Sequence, residues 1–228
     1  MFSGILRSRA IVTSIAFALA AGWQGTGVSK VSAVGQAVAP ANCVTIAIPN
    51  PSVGYTYDHA ETTGNRSQYT QRWESVSATG SRVRVTGPRG TEIQVSEHHI
   101  VDDVMVLDRQ SKVNANGGVI DATAFRPGVV GDPALRACAG RSWPIPSVTA
   151  TYQSGQINAS SGTPAGTLTI IAIRERVNVP AGQFDTVHYI RTSQSTDEYW
   201  KSIDHGVVVK HIATLTGAVV TEVLLSIR

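Results

Sequence analysis

Residues 177–228 read VNVPAGQFDTVHYIRTSQSTDEYWKSIDHGVVVKHIATLTGAVVTEVLLSIR. Runs rich in Val, Ile and Tyr alternate in this segment with breaks at Pro-Ala-Gly, Gln-Ser-Thr-Asp, Asp-His-Gly and Leu-Thr-Gly. Because Gly and Pro supply the backbone angles at which a chain reverses, these breaks predict turns between short strands. Apolar residues at every second position predict one buried face of a pleated sheet. That face is expected to carry Val187, Tyr189, Val207, Val209, Val223, Leu225 and Ile227.

The same segment resembles a group of exported bacterial β-sheet domains of unknown function. The resemblance rests on residues 179–184 (Val-Pro-Ala-Gly-Gln-Phe), the pair Tyr199 and Trp200, residues 206–210 (Gly-Val-Val-Val-Lys) and residues 221–223 (Thr-Glu-Val). These are turn and packing positions in the last quarter of the chain. The resemblance implies a curved antiparallel sheet and a location in the cell envelope, and it supplies no catalytic residue.

Strand and turn signals continue through the rest of the chain, which contains 21 Gly and 10 Pro among its 228 residues. Polar and apolar residues alternate in residues 67–76 and 82–86, as expected for antiparallel strands with one solvated face. Residues 132–140 (Asp-Pro-Ala-Leu-Arg-Ala-Cys-Ala-Gly) differ, because Asp, Pro and Gly there match the start and end signals of a short helix. We therefore predict an all-β fold: a curved antiparallel meander, half-barrel or barrel-like, with one or two short helices.

The beginning of the chain has the order of an export signal. Arg7 and Arg9 precede an apolar run at residues 11–21, which is too short to span a bilayer as a helix of the mature protein. This order predicts a signal peptide and flexible leader at residues 1–39, with cleavage before Cys43, and a single β-rich domain at residues 40–228. The expected location is periplasmic or secreted, without a transmembrane span in the mature protein.

Charge in the predicted mature domain is balanced. The formal charge of the whole chain is +3, but the first 39 residues contain three basic residues and no acidic one. The domain that follows therefore has no basic surplus. Because nucleic-acid binding needs a basic patch or stripe, we do not expect a nucleic-acid partner.

Cys43 and Cys138 are the only cysteines in the sequence. Two thiols in one domain pair in an oxidising compartment, so we predict a disulfide between them. The alternative is two separate buried thiols. The absence of a Cys-x-x-Cys motif from the sequence argues against a dithiol redox function.

His98, His99 and Asp102 belong to the densest cluster of candidate metal ligands. Adjacent residues of a strand point to opposite faces, so both histidines cannot bind one ion without a bend. The sequence also has no Gly-x-Ser-x-Gly, phosphate-loop or His-Glu-x-x-His motif. We expect no catalytic residue, metal or cofactor. A metal-dependent or hydrolytic periplasmic enzyme built on these three residues is the alternative.

Aromatic residues are the candidate ligand-binding surface, because they combine a large apolar area with a polar edge. Burial in the core is the competing interpretation. The first hypothesis is an exported, non-enzymatic domain that binds an apolar small molecule or lipid, or an envelope protein. A purely structural envelope protein is a further alternative. The candidate ligand-binding residues are Tyr69, Trp73, Trp143, Tyr199 and Trp200.

Overall fold

One large antiparallel sheet dominates the structure, which is a computed structural model. The structure describes residues 42–88, 90, 92–155, 157–193, 195–215 and 218–228, so the predicted signal peptide and leader at residues 1–39 lie outside the described residues. The strands are β1 (Cys43–Thr45), β2 (Gly54–Glu61), β3 (Arg66–Val76), β4 (Gly80–Thr86), β5 (Ile93–Val101), β6 (Val104–Val113), β7 (Val119–Pro133), β8 (Arg136–Cys138), β9 (Ser142–Ile145), β10 (Val148–Ser154), β11 (Ile157–Thr163), β12 (Gly166–Val179), β13 (Gly182–Thr192), β14 (Thr196–Ser202), β15 (Val208–Leu215) and β16 (Ala218–Ile227).

The large sheet has 14 strands in the order β11-β10-β7-β6-β5-β4-β3-β2-β16-β15-β14-β13-β12-β9, while β1 and β8 form a separate ribbon. Most neighbours in the sheet are also neighbours in sequence, which makes it a meander. The pairing of β16 with β2 joins the two halves of the chain side by side. The order is open, with β11 and β9 at its edges. The prediction of an all-β antiparallel meander is confirmed.

The sheet is so strongly curved that side chains from strands far apart in its order are in contact. The hydroxyl of Tyr189 on β13 donates a hydrogen bond to Asp132 Oδ1 on β7, over 2.6 Å. Lys201 on β14 donates from Nζ to the carbonyl oxygen of Pro133, also on β7, over 2.8 Å. These contacts connect opposite ends of the curl, and the inner surface of the sheet becomes a concave face.

Two clusters of buried side chains make up most of the apolar core. One joins β2–β4, β6 and β14–β16 to the tip of the β12–β13 hairpin, and the other joins β1, β6–β9, β12 and β13. Both clusters therefore unite distant parts of the sheet order, as the curl requires. The first includes Tyr55, Tyr57, Trp73, Phe184 and Leu224, and the second includes Val44, Val106, Trp143, Leu168 and Tyr189.

The helix predicted at residues 132–140 is wrong. Pro133 ends β7, and residues 136–138 form β8, which pairs with β1. Cys43 and Cys138 are directly opposite in this ribbon and are joined by a disulfide with 2.05 Å between the sulfur atoms. The predicted disulfide is present. The extended ribbon overrides the helix signals because β1 supplies the backbone hydrogen bonds that a helix would have supplied internally.

The buried face predicted for β16 is also wrong, although the same alternation correctly identified Val187 and Tyr189 on β13, both 0% exposed. In β16 the buried residues are Val220, Glu222 and Leu224. The predicted residues Val223, Leu225 and Ile227 are only partly buried. A carboxylate in the middle of the buried row breaks the apolar pattern, and a shift of one residue exchanges the two faces of a strand.

Candidate functional site

A cavity of about 200 Å³ opens on the concave face of the sheet. Strands β2–β7 form one wall, and β13–β16 form the other. A dry cavity of about 150 Å³ engineered into another protein holds benzene, so this volume accommodates one small ring or a short chain. The aromatic side chains in its lining are Tyr57, Tyr69, Trp73 and Tyr199.

Period-two alternation brings the side chains of β3 and β4 to the cavity. Tyr69, Gln71 and Trp73 are alternate residues of β3, and Val83 and Val85 are alternate residues of β4; all five line the cavity. Successive side chains of a strand point to opposite faces, so the arginines that flank the two valines are directed outwards. The pattern read from the sequence therefore agrees with the face that these two strands present.

Of the predicted ligand-binding residues, Tyr69, Trp73 and Tyr199 come together around the cavity. Tyr199 and Trp200 are adjacent on β14, so only one of them faces inwards. Trp200 lies on the other face, where its ring stacks on His188 with 4.4 Å between centroids. Its indole N–H donates to Glu175 Oε1 over 2.9 Å. Trp200 belongs to the first buried cluster but does not line the cavity.

Trp143 also lies away from the cavity, as part of the second buried cluster. Its indole N–H donates to the carbonyl oxygen of Asp102 over 2.9 Å, and the Arg141 guanidinium lies over its ring. Arg141 also binds the carboxylates of Asp102 and Asp103. Trp143 therefore anchors the β5–β6 turn to β9.

His98, His99 and Asp102 do not converge. His98 lines the cavity, whereas His99 is exposed and its Nδ1 lies 2.8 Å from Asp108 Oδ2. Asp102 is at the β5–β6 turn and is bound by Arg141. In the described part of the chain, no group of three or more His, Cys, Asp or Glu side chains is placed to hold a metal ion.

A buried acid with two histidine partners was missed by the sequence analysis. Glu222 Oε1 lies 2.9 Å from His59 Nδ1, and Glu222 Oε2 lies 2.9 Å from His211 Nδ1. Burial alone would raise the pKa of Glu222, but the hydrogen bonds from His211 and His59 outweigh it and lower this pKa to about 2. Glu222 is therefore a carboxylate at neutral pH and accepts a hydrogen from each Nδ1.

The two imidazoles differ in the partners of their Nε2 atoms. The Nε2 atom of His59 lies 3.4 Å from Glu61 Oε1, so both of its ring nitrogens face carboxylates. The hydrogen bond to Glu222 is the main cause of a raised pKa for His59, which favours the imidazolium. Among the described residues, His211 has a carboxylate partner at Nδ1 and none at Nε2. In its neutral form Nδ1 carries the hydrogen and Nε2 is a bare acceptor.

An aromatic ladder holds the His211 ring in place. Tyr199 stacks between Tyr189 and His211, with 4.9 Å and 4.2 Å between the respective ring centroids. The three residues are cross-strand neighbours on β13, β14 and β15. Stacked neighbours of this kind stabilise a sheet and restrict ring rotation. The ladder and Glu222 together fix the direction of Nε2.

The charges at the cavity wall are paired. Arg191 Nη2 lies 3.1 Å from Asp197 Oδ2, and Asp132 Oδ2 lies 3.9 Å from Lys201 Nζ. Glu222 has the His59 partner described above. In the described lining, Asp132 and Arg191 thus each have an oppositely charged neighbour within 4.0 Å, and both oxygens of Glu222 are hydrogen-bonded to histidines.

His98 adds no charge to the wall at neutral pH. It is a cavity residue that is only partly exposed. Burial lowers the pKa of His98 to about 4, although Asp132 and Asp108 act in the opposite direction. Its imidazole is therefore neutral near pH 7.

Four buried side-chain atoms of the described residues have no hydrogen-bond partner: Tyr57 Oη, Trp73 Nε1, His188 Nε2 and His211 Nε2. One of the four, His188 Nε2, makes no hydrogen bond but lies 3.5 Å from Glu198 Oε2 in an ion-pair contact. The other three atoms belong to residues that line the cavity. An unmet buried polar group costs about 1–3 kcal/mol, so three in one place require an explanation.

No protein-family model matches the chain, and no curated protein matches it in sequence. The resemblance of residues 177–228 to exported bacterial β-sheet domains stays a prediction. The described residues contain no helix that is long and apolar enough to cross a membrane.

Proposed function

We propose that this chain is an exported binding domain whose concave cavity holds a small, mainly apolar ligand. The observation that carries the proposal is the ring of Tyr57, Tyr69, Trp73 and Tyr199 around a space of about 200 Å³. Ligand sites are concave, largely apolar and aromatic, with a few polar groups that fix orientation. This cavity has the same composition.

Packing favours a binding role over a purely structural one. A domain with no ligand would gain apolar contacts by filling a space of about 200 Å³ with larger side chains.

The crosslink supports an oxidising compartment. The Cys43–Cys138 disulfide is compatible with an oxidising environment, where such bonds persist. Together with the predicted export signal, it supports a periplasmic or secreted location. The ligand would then be a molecule that is present outside the cytoplasm.

Thermal unfolding with and without toluene tests the proposal. A ligand that binds only the folded state raises Tm, so toluene should raise the Tm of the wild type. Ser96 lines the cavity, and Ser96→Phe should abolish the rise by filling it. The matched control is Ser160→Phe, at an exposed position on the edge strand β11, which should retain the rise. Equal Tm with and without toluene in all three proteins would favour the structural or envelope-partner hypothesis.

A further inference from the structure

The polar groups of the cavity define a narrower class of ligand, an inference that rests on the proposed function. We propose that the ligand is an uncharged molecule of about one ring in size that carries both a hydrogen-bond donor and an acceptor, as a primary amide or an alcohol does. Carboxylate and ammonium ligands of the same size should bind more weakly.

The absence of charge follows from the ion pairs at the wall. Asp132, Arg191 and Glu222 are the Asp, Glu and Arg residues of the described lining. Asp132 and Arg191 each already have a partner of opposite sign, and both oxygens of Glu222 are hydrogen-bonded to histidines. An ionic ligand would therefore lose its hydration without gaining a free counter-ion. Burial of an unpaired charge is among the most unfavourable changes in a protein interior.

The need for a donor and an acceptor follows from two unpartnered atoms. Trp73 is 4% exposed, and its indole N–H is a donor only, so the ligand must accept a hydrogen there. His211 is 3% exposed, and its Nε2 has no partner. In the neutral imidazole, whose Nδ1–H donates to Glu222, this Nε2 is an acceptor. The ligand must therefore donate a hydrogen at His211.

A third polar atom fits either role. The hydroxyl of Tyr57 has no partner, and Tyr57 is 3% exposed. A hydroxyl both donates and accepts, so it adapts to whichever polar group of the ligand lies beside it. Three polar atoms against four aromatic rings suit a molecule that is mostly apolar and carries one small polar group.

Calorimetric titration of the full chain near pH 7 tests this inference with four probes of one ring each: benzamide, toluene, benzoate and benzylammonium. Benzamide should bind about tenfold more tightly than toluene, because its amide satisfies polar groups that toluene leaves unmet. Benzoate and benzylammonium should bind at least tenfold more weakly than benzamide.

Two variants assign the preference to the cavity. Trp73→Phe keeps a ring but removes the N–H, so the benzamide advantage over toluene should fall several-fold while toluene affinity changes little. Trp200→Phe is the matched control, since it removes an indole N–H that is bound to Glu175 on the other face. If Trp73→Phe does not fold, Tyr57→Phe removes a second unpartnered group and should reduce the same ratio.

The outcomes separate the inference from the proposed function. Toluene binding without a preference for benzamide, or a preference for benzoate or benzylammonium, would overturn the ligand class and leave a binding domain. A failure of all four probes to bind would overturn both. A benzamide preference that Trp73→Phe removes and Trp200→Phe retains would support both.

Discussion

His211 and Glu222 are paired across β15 and β16, with 2.9 Å between His211 Nδ1 and Glu222 Oε2. The other carboxylate oxygen meets His59 on β2, so one buried acid connects three neighbouring strands. The hydrogen bond to Glu222 engages Nδ1 of His211, and Nε2 is left without a partner. Glu222 therefore links three strands and also determines which polar atom of His211 is unpartnered.

Glu222→Gln should lower the free energy of unfolding by about 3 kcal/mol near pH 7, because it removes the buried carboxylate that is hydrogen-bonded to both His59 and His211. Urea denaturation measures the change. Glu97→Gln is the control: Glu97 makes an exposed ion pair with Arg82, and its loss should change stability by less than about 1 kcal/mol. Equal effects of the two substitutions would contradict the role assigned to Glu222.

The contribution of Glu222 should depend on pH with a defined sign. Its pKa is lower in the folded chain than in the unfolded chain, so its ionisation stabilises the fold above the unfolded pKa of about 4.3. That stabilisation is lost as pH falls through the folded pKa of about 2. The difference in unfolding free energy between wild type and Glu222→Gln should therefore shrink between about pH 5 and pH 2. A constant difference would contradict the lowered pKa.

His98 should destabilise the fold in mild acid. Its folded pKa of about 4 lies below the unfolded value of about 6.5, so between these values the unfolded chain binds a proton that the folded chain does not. Titration of His98 therefore does not reduce the unfolding free energy above about pH 7, but it reduces this free energy increasingly as the pH falls towards 4. As the pH falls from about 7.5 to about 4.5, the unfolding free energy of His98→Asn should rise by about 2 kcal/mol relative to that of the wild type. Urea denaturation measures both values. A parallel pH dependence of the two proteins would refute this.

The disulfide should be a major source of stability. It joins residues 95 positions apart, and the chain-entropy model gives about 4 kcal/mol for a loop of this length. Replacing Cys43 and Cys138 together by Ser should lower Tm, and a reductant should lower the Tm of the wild type to a similar value. The reductant should have no effect on the double variant. A wild-type Tm that is insensitive to reductant would contradict the assigned contribution.

Gly206 belongs to the Gly-Val-Val-Val-Lys motif, and the structure explains why a larger residue is unfavourable at this position. Its φ is +66°, and a Cβ there would overlap the carbonyl oxygen of Ala47. Gly206→Ala should therefore cost more than about 2 kcal/mol of unfolding free energy. Gly64 has φ of +93° with open space around it, so Gly64→Ala should cost only about 1 kcal/mol of backbone strain. Similar losses for the two variants would argue against the overlap.

Repeating apolar patterns predicted much of the fold, because a sheet with one buried face imposes period two. The alternation in residues 67–76 and 82–86 matches the faces that β3 and β4 present for this reason. In β16 the prediction was wrong because Glu222 occupies a buried position. Its partners come from His59, 163 residues away, and from His211, and local sequence does not show that they will meet.

The candidate site was predicted in part for a similar reason. Aromatic content identifies residues that can line a cavity, but strand pairing decides which face each one occupies. Tyr199 and Trp200 were both named, yet adjacent residues of a strand cannot both face inwards. The polar half of the site was missed because Glu222 and His211 are distinguished only by their contacts, which join different strands. Adjacent spacing instead indicated His98 and His99 as candidate ligands.

The most direct test of the central claim, that the concave cavity holds a ligand, is NMR of the tryptophan indole N–H groups during titration with toluene. The Trp73 signal is identified by its loss in Trp73→Phe. The account predicts a saturable shift of the Trp73 signal, while Trp143 and Trp200, whose N–H groups are bound to Asp102 and Glu175, stay nearly unchanged. A Trp73 signal that does not move at saturating toluene, or that moves no more than the other two, would contradict the account.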